Sequence, residues 1–183
     1  MQSLKAHFLV ASPHLEDPNF VRSVVLLFEH TNNGAWGVVV NRPINKTISE
    51  LWKEVGAEPC ESVHPVHLGG PVPGPLHSLH TIALLGEEEI LPGLFLSRER
   101  PNLDKLVARP DEPLKIFLGH SGWGPGQLER ELREGAWFTA PADRDAALTL
   151  EINLWQRICK RIGEDVLQSS LNLRNMPTDP TVN

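Results

Sequence analysis

The chain has 183 residues, of which 40% are hydrophobic and 22% charged, with 17 basic residues against 23 acidic ones. This length and hydrophobic content favour one globular domain and exclude a disordered acidic segment. The net charge of −6 argues against a surface that is basic throughout and binds nucleic acid. Two cysteines, Cys60 and Cys159, are too few for a disulfide scaffold.

No segment has the composition of a membrane span. The longest apolar runs, residues 24–28 and 94–96, are far shorter than the ~20 residues that a spanning helix needs. The apolar run at 8–11 is also shorter than the roughly 7–15 residues at the centre of a secretory signal peptide. We therefore expect a cytoplasmic protein with reduced thiols and no membrane contact.

The first part of the chain predicts β-strands. Residues 7–11 form an apolar run, and residues 23–29 and 35–40 flank Asn33-Gly34, a pair that supplies the positive φ angles of a tight hairpin turn. Residues 38–40 are apolar without alternation, which indicates a strand buried on both faces.

A short helix is predicted after this hairpin. Thr47 and Glu50 have the spacing of a capping box, apolar residues continue at helical spacing, and Gly56 occupies the position of a C′ glycine. The segments that follow predict strands at 66–68, 76–83 and 94–97, a helix at 102–107 and a strand at 114–118.

Two further helices are predicted towards the C-terminus. Gly124 is a candidate N-cap with Pro125 at the first helical position, and this helix reaches Gly135 before a strand at 136–139. An apolar stripe that Gly163 ends predicts a longer helix, and its members are Leu148, Ile152, Trp155, Ile158, Cys159 and Ile162.

Strands that come in runs, with few and unevenly placed helices, indicate an α+β fold. We expect one domain over residues 1–174. Residues 175–183 contain two prolines and no apolar period, and they predict a loose tail.

Four segments together resemble the AlgH/YqgE family of bacterial proteins: residues 11–13, 37–43, 68–72 and the run Gly-His-Ser-Gly-Trp-Gly-Pro-Gly-Gln-Leu-Glu at 119–129. The family usually has tyrosine where this chain has His120. The resemblance implies an α+β fold in which bent, coiled sheets pack around a long helix, here the C-terminal one. Members often carry the label of transcriptional regulator, but the resemblance implies no particular biochemical activity.

The segment around Ser121 resembles a nucleophile elbow incompletely. A strand precedes it, but the motif Gly-x-Ser-x-Gly needs glycine where Trp123 stands. A tight loop in which Ser121 bonds to its own backbone is the simpler interpretation. The alternative is a small serine hydrolase in which Ser121 works with a histidine such as His30 or His120.

Two histidine pairs have the spacing of metal ligands, His64 with His67 and His77 with His80. Both pairs fall in segments that are interpreted as extended, where residues three apart point to opposite faces. We therefore expect partly exposed strand histidines, no zinc site and no other cofactor.

Loops after three predicted strands contain the candidate ligand-binding residues, because loops carry function disproportionately. Arg42 offers a planar fork to a carboxylate or phosphate, glycine N–H groups add donors, and Trp123 adds a flat apolar wall. The full set is Asn41, Arg42, Gly69, Gly70, Ser121 and Trp123. The bland alternative is three unrelated turns, with Arg42 in a structural ion pair.

These observations favour a non-enzymatic binding module that acts through a small anionic ligand or a partner protein, with an indirect regulatory role. Tight, direct DNA binding is not expected. No helix-turn-helix with a basic second helix is visible, and the densest basic group, at 157–161, is offset by Glu164 and Asp165.

Overall fold

The computed structural model describes the backbone of residues 2–174 and the side chains of residues 2–168. The predicted tail at 175–183 lies outside the described residues. The strands are β1 (His7–Ala11), β2 (Val24–Thr31), β3 (Gly34–Val39), β4 (Pro43–Thr47), β5 (Pro65–Leu68), β6 (His77–His80), β7 (Glu88–Leu91), β8 (Leu94–Ser97), β9 (Leu114–Leu118), β10 (Ser121–Trp123) and β11 (Trp137–Pro141). The helices are α1 (Ile48–Glu54), α2 (Arg100–Val107), α3 (Gln127–Arg133), α4 (Arg144–Leu148) and α5 (Leu154–Arg174), with a short 3₁₀ turn at Ala83–Leu85.

The strands form two sheets. The first has the order β10-β3-β2-β1-β11 and is antiparallel throughout. The second has the order β4-β5-β9-β6-β8-β7, in which the pair β5–β9 is parallel. The predicted α+β class is therefore confirmed.

Three apolar clusters hold these layers together. The first lies between the two sheets and includes the buried residues of α4 and the first turns of α5. The second packs α1 and α2 on the outer face of the second sheet. The third packs α3 on the outer face of the first sheet. Both sheets are consequently buried on both faces over much of their area, and Val38, Val39 and Val40 have no exposed surface.

The most local predictions are confirmed. The hairpin joins β2 to β3, and Gly34 has φ +125°, with the carbonyl oxygen of Trp123 2.2 Å from the position that a Cβ would take. The capping box begins α1, where the Glu50 N–H donates to Thr47 Oγ1 (3.3 Å) and the Thr47 N–H donates to Glu50 Oε2 (2.7 Å). Gly56 follows the helix with φ +66°.

The two C-terminal helix predictions need correction. α3 begins at Gln127, because Gly126 has φ +71° and cannot continue a helix from Pro125. The long apolar stripe is divided between α4 and α5, since Thr149 is extended and Ile152 is 90% exposed. Gly163 lies inside α5 and does not end it.

The segment Ser121-Gly122-Trp123 was expected to be a loop and is the edge strand β10, paired with β3. Glycine has a low strand propensity, so the composition of this segment does not predict a strand. The strand forms because its hydrogen-bond partner, β3, lies far away in the sequence but adjacent in the fold. Within the described part of the chain, none of the helices combines the length and the apolar character that crossing a membrane requires.

Candidate functional site

The two sheets join where β5 and β9 end. The Gly69 N–H donates to the carbonyl oxygen of Leu118 (2.8 Å) in the second sheet. The Gly69 carbonyl oxygen accepts from the Val39 N–H (2.8 Å) in the first sheet. One residue therefore ties a strand of each sheet together.

Glycine is required at this junction by close approach of the backbone. A Cβ at Gly69 would lie 2.4 Å from the carbonyl oxygen of Gly119. A Cβ at Gly70, which has φ +152°, would lie 2.4 Å from Ser121 Oγ and from the carbonyl carbon of His120. The segments 69–72 and 119–121 can thus pack together only without these side chains.

Ser121 is fully buried at the junction. Its hydroxyl donates to the carbonyl oxygen of Gly69 (3.1 Å) and holds the two segments together. A catalytic serine instead needs an imidazole within about 2.6–3.2 Å of its oxygen. The bond to Gly69 is the structural role that a buried hydroxyl ordinarily has.

The histidines considered as bases for Ser121 have other contacts. His30 Nδ1 accepts from the Leu4 N–H (2.9 Å), and His30 Nε2 bonds to Glu129 Oε1 (3.0 Å). The His120 ring packs against aromatic rings and His77. This geometry gives the hydrolase alternative no support.

Asn41 and Arg42 fasten the loop before β2. Asn41 accepts from the Val24 N–H (2.8 Å) and donates to the carbonyl oxygen of Arg22 (2.9 Å). The Arg42 guanidinium donates to the carbonyl oxygens of Asn19 and Val21 and to Ser23 Oγ (2.9 Å). The fork that was predicted to face a ligand therefore has internal acceptors.

Trp123 packs in the third apolar cluster. Its ring stacks 6.0 Å from Phe20 and meets Trp137 edge-on at 5.8 Å. Its Nε1–H donates to Glu131 Oε2 (2.9 Å), which also accepts from Trp137 Nε1 (2.9 Å). The partners of the Trp123 side chain thus lie away from the junction.

The structure brings Gly69, Gly70 and Ser121 into one place, while the side chains of Arg42 and Trp123 bind elsewhere. A ligand-binding role for these residues stays a prediction.

A cavity of about 320 Å³ opens at this place, and we call it the junction cleft. Its volume is within the range of about 300–1,000 Å³ that is usual for small-molecule sites. Its walls are main chain and apolar side chains: Leu68, Gly70, Val72, Gly74, Leu118 and Gly119, with two prolines. Leu68 and Val72 are each more than a third exposed.

Three rings and one guanidinium group lie together beside the cleft. We call this group the histidine–tryptophan cluster, and its members are Trp36, His77, Arg98 and His120. The His77 and His120 ring centroids are 5.9 Å apart, and each lies within 6.0 Å of the Trp36 ring centroid. The Arg98 guanidinium carbon is 5.8 Å from the same ring. His120 Nδ1 is buried without a hydrogen-bond partner and lies 3.2 Å from the Cβ position of Gly74, a wall residue of the cleft.

The expectation of partly exposed histidines is wrong for three of the four paired residues. His67, His77 and His80 are at most 3% exposed, because both faces of the second sheet are covered. Burial lowers the pKa of His67 to about 3 and the pKa values of His77 and His80 to about 4. Lys115 contributes to the shift at His67, and His120 and Arg98 contribute at His77.

Lys115 is the buried charged residue that the sequence analysis missed. It is 1% exposed on β9, and its Nζ donates to the carbonyl oxygen of Val40 (2.7 Å). Burial lowers its pKa to about 7. The sequence could have indicated this burial. Lys115 lies between Leu114 and Ile116, in a run that continues to Phe117, and a strand with apolar residues at successive positions is buried on both faces.

A cavity of about 80 Å³ has in its wall Val40, the residue whose carbonyl oxygen binds Lys115, and we call it the inner cavity. Val40, Asn41 and His67 form one side of it, and the segment 149–152 between α4 and α5 forms the other. Among the described residues, no group of three or more His, Cys, Asp or Glu has the arrangement of a metal site.

Comparison with known proteins decides the family. A family model described as AlgH-like matches residues 8–167. The chain belongs to the AlgH-like family. The resemblance deduced from four short segments is therefore confirmed.

Relatives of this AlgH-like chain match it over nearly its whole length. A UPF0301 protein of Myxococcus xanthus is 40% identical over 170 residues, which cover 90% of this chain and 94% of the relative. A UPF0301 protein of Chlorobaculum parvum is 36% identical over 173 residues, which cover 90% of each chain.

Solved structures agree with the AlgH-like fold. The solution structure of the AlgH protein from Pseudomonas aeruginosa has a TM-score of 0.74 and 33% identity, and the match covers 97% of this chain and 96% of that one. A crystal structure of a Corynebacterium diphtheriae protein has a TM-score of 0.69 over 88% of each chain, but its 23% identity shows the fold alone.

Proposed function

We propose that this AlgH-like protein is a cytoplasmic, non-enzymatic binding module whose ligand is a small organic anion held in the junction cleft. The observation that carries the proposal is the unpartnered Nδ1 of His120 beside Gly74 at the cleft wall. A ligand atom that bonds to this nitrogen would satisfy a buried polar group. A regulatory effect would then pass to a partner protein through the liganded form.

Apolar walls and a single polar group suit a ligand with an apolar body and one polar end. Leu68, Val72 and Leu118 line the cleft with apolar surface. The His120 ring lies behind Gly74 and would provide the polar contact. Pockets of this composition are the common type of small-molecule site.

Charge next to the cleft favours an anion. Burial is the main cause of the low pKa of His77, and its neighbours His120 and Arg98 lower that pKa further, so this region disfavours an added cation. An anion near His120 would interact favourably with the Arg98 guanidinium, and in the tautomer with its proton on Nδ1 the His120 ring could donate to it.

Titration of the purified protein with short-chain carboxylates and organic phosphates, followed by NMR chemical-shift changes, tests the proposal. We expect changes centred on residues 68–74 and 118–120. Val72→Asp places a carboxylate in the cleft wall, and it should weaken binding at least about tenfold, or about 1.4 kcal/mol. Leu84→Asp, at a site that is 90% exposed and belongs to the 3₁₀ turn, is the matched control and should leave binding unchanged.

Two results would contradict this function. One is the absence of shift changes at the cleft with every anion in the panel. The other is equal affinity of the wild type and the Val72→Asp variant.

A further inference from the structure

We propose that a cavity on the outer face of the first sheet binds an organic cation whose head group is a quaternary ammonium. This site is separate from the junction cleft, and it does not depend on the anion-binding function proposed for that cleft.

The cavity has a volume of about 300 Å³ and lies between α3, β10, β11 and the loop before β2, and we call it the aromatic cavity. Its volume is at the lower end of the range of about 300–1,000 Å³ that is usual for small-molecule sites. No lysine, arginine or histidine is among the described residues that line it. Its wall contains three aromatic rings and three carboxylates, which belong to Phe20, Trp123, Trp137, Asp17, Glu131 and Glu134.

The three rings pack against one another. The Phe20 ring centroid is 6.0 Å from that of Trp123 and 5.3 Å from that of Trp137, and the two indole rings are 5.8 Å apart. Trp123 and Trp137 are 5% and 3% exposed, so their packing fixes the rings before a ligand binds. An aromatic ring attracts a cation within about 6 Å of its centroid, and tryptophan does so most strongly. The rings therefore favour a cation over a neutral molecule of equal size.

Glu131 contributes negative charge but few free acceptor positions. Its Oε2 accepts from the indole N–H groups of Trp123 and Trp137 (both 2.9 Å), and its Oε1 accepts from Gln127 Nε2 (2.9 Å). These donors are neutral, so the carboxylate keeps its charge while three of its roughly four lone-pair positions are occupied. A primary ammonium or guanidinium group needs several acceptors, whereas a quaternary ammonium group has no N–H and needs none. The surroundings of Glu131 therefore suit the quaternary group.

Two exposed carboxylates add to this negative charge. Glu134 Oε1 is 3.9 Å from Arg130 Nε, and both side chains are exposed, so this ion pair is weak and leaves the carboxylate accessible. Asp17 acts partly on Arg42, because burial lowers the pKa of that guanidinium and the charge of Asp17 opposes the shift. Carboxylates of the described residues form no group that could hold a metal ion. Charge and rings together thus indicate an organic cation.

The first test follows the indole N–H signals of the five tryptophans by ¹⁵N NMR during titration with choline chloride, with sodium chloride at equal concentration as the reference. We expect saturable shifts for Trp123 and Trp137, which line the cavity, and none for Trp52 and Trp155, which pack in other clusters. The neutral molecule of the same shape, 3,3-dimethyl-1-butanol, should bind at least about threefold more weakly, which is the effect of one unit charge about 6 Å away at the dielectric constant of water. Unshifted Trp123 and Trp137 signals, or equal affinity for the alcohol and choline, would overturn the proposal.

The second test separates the contributions of charge and rings. Glu134→Gln removes one negative charge and should weaken choline binding about threefold. Glu54→Gln is the matched control, because Glu54 is also an exposed glutamate with a basic partner, Lys46 (2.6 Å), but belongs to α1, and it should leave binding unchanged. Phe20→Leu removes a ring and keeps an apolar side chain, so it should weaken binding of choline more than binding of the alcohol. Equal losses for the two ligands, or wild-type affinity in Glu134→Gln, would contradict the proposed recognition.

The source of the head group is distinguished by a third titration, with Nα-acetyl-trimethyllysine. This compound has the same trimethylammonium group as choline but carries it on a lysine side chain. Tighter binding of choline would assign the aromatic cavity to a free cation, and tighter binding of the lysine derivative would assign it to a methylated side chain. Failure of both compounds to shift the Trp123 and Trp137 signals would overturn the proposal and would leave the junction cleft unaffected.

Discussion

The two faces of the second sheet differ in what they bury. The outer face, under α1 and α2, presents aliphatic residues such as Val66, Leu114 and Ile116. The inner face, towards the first sheet, presents Leu79 and Phe117 but also the buried side chains of His67, His77 and Lys115. Burying polar groups in a core lowers the free energy of unfolding. The inner face therefore contributes less to stability than the outer face.

Two of the cavities described above lie on the side of the polar face. The junction cleft borders the inner face through His120, and the inner cavity borders it through His67. The outer face has one buried titratable side chain on the strand β6, His80, and both of its ring nitrogens have partners, Ser97 Oγ (2.9 Å) and the Ile82 N–H (3.2 Å). The comparison therefore predicts that changes among the apolar residues of the outer face alter stability alone, whereas changes at the titratable residues of the inner face alter the pH dependence of stability.

The largest expected effect is on the outer face, at Trp52. This residue is 1% exposed, and its Nε1–H donates to Asp104 Oδ1 (2.9 Å). Trp52→Ala should lower the free energy of unfolding by about 3–5 kcal/mol through lost burial and the cavity it leaves. Urea denaturation at several pH values should show a loss that is nearly independent of pH.

Val55→Ala is the control for the Trp52 variant, because Val55 is adjacent to the same helix and 44% exposed. Its effect should stay within about 0.5 kcal/mol, as is usual for surface positions. A Trp52 variant as stable as this control would contradict the assignment of the outer face to stability.

An effect of similar size, spread over several pH units, is expected at Lys115. An unfolded lysine binds its proton up to about pH 10.4, whereas the buried amine has a pKa of about 7. Between these values the unfolded state holds more protons, so the free energy of unfolding rises with pH, by up to about 1.4 kcal/mol per unit.

Lys115→Met should remove this rise while the wild type retains it. Denaturant midpoints measured from about pH 7 to pH 10 for both proteins provide the slope. Parallel curves for the two proteins would show that Lys115 is not protonated differently in the folded and unfolded states, and the contrast between the two faces would lose its main support.

Local signals made part of this fold predictable. The Asn33-Gly34 turn and the Thr47–Glu50 capping box act within four residues of chain, and both appear in the structure as expected. Val38 to Val40 also indicated the correct burial, because an apolar run without alternation leaves no face for solvent.

Nonlocal contacts determined what the sequence did not show. β10 is a strand because β3 supplies its hydrogen-bond partners. The strand propensity of Ser-Gly-Trp does not indicate this pairing. The stripe from Leu148 to Ile162 keeps its apolar spacing across the break at Thr149, so periodicity alone joined α4 to α5. In the candidate site, Arg42 and Trp123 found internal partners whose positions depend on the folding of distant loops.

The smallest effect is expected at Ser121, where a structural and a catalytic role make different predictions. Its hydroxyl is fully buried and donates to the carbonyl oxygen of Gly69. Ser121→Ala should therefore cost about 0.5–1.5 kcal/mol of unfolding free energy, the usual net value of one hydrogen bond, because the Gly69 carbonyl oxygen still accepts from the Val39 N–H. A nucleophile would behave in the opposite way, because its replacement abolishes reactivity and leaves stability nearly unchanged.

Treatment of the wild type with a fluorophosphonate serine probe should give no label at Ser121, since the buried hydroxyl has no imidazole to activate it. Labelling that disappears in Ser121→Ala would restore the hydrolase alternative and would move the functional chemistry from His120 to the serine beside it.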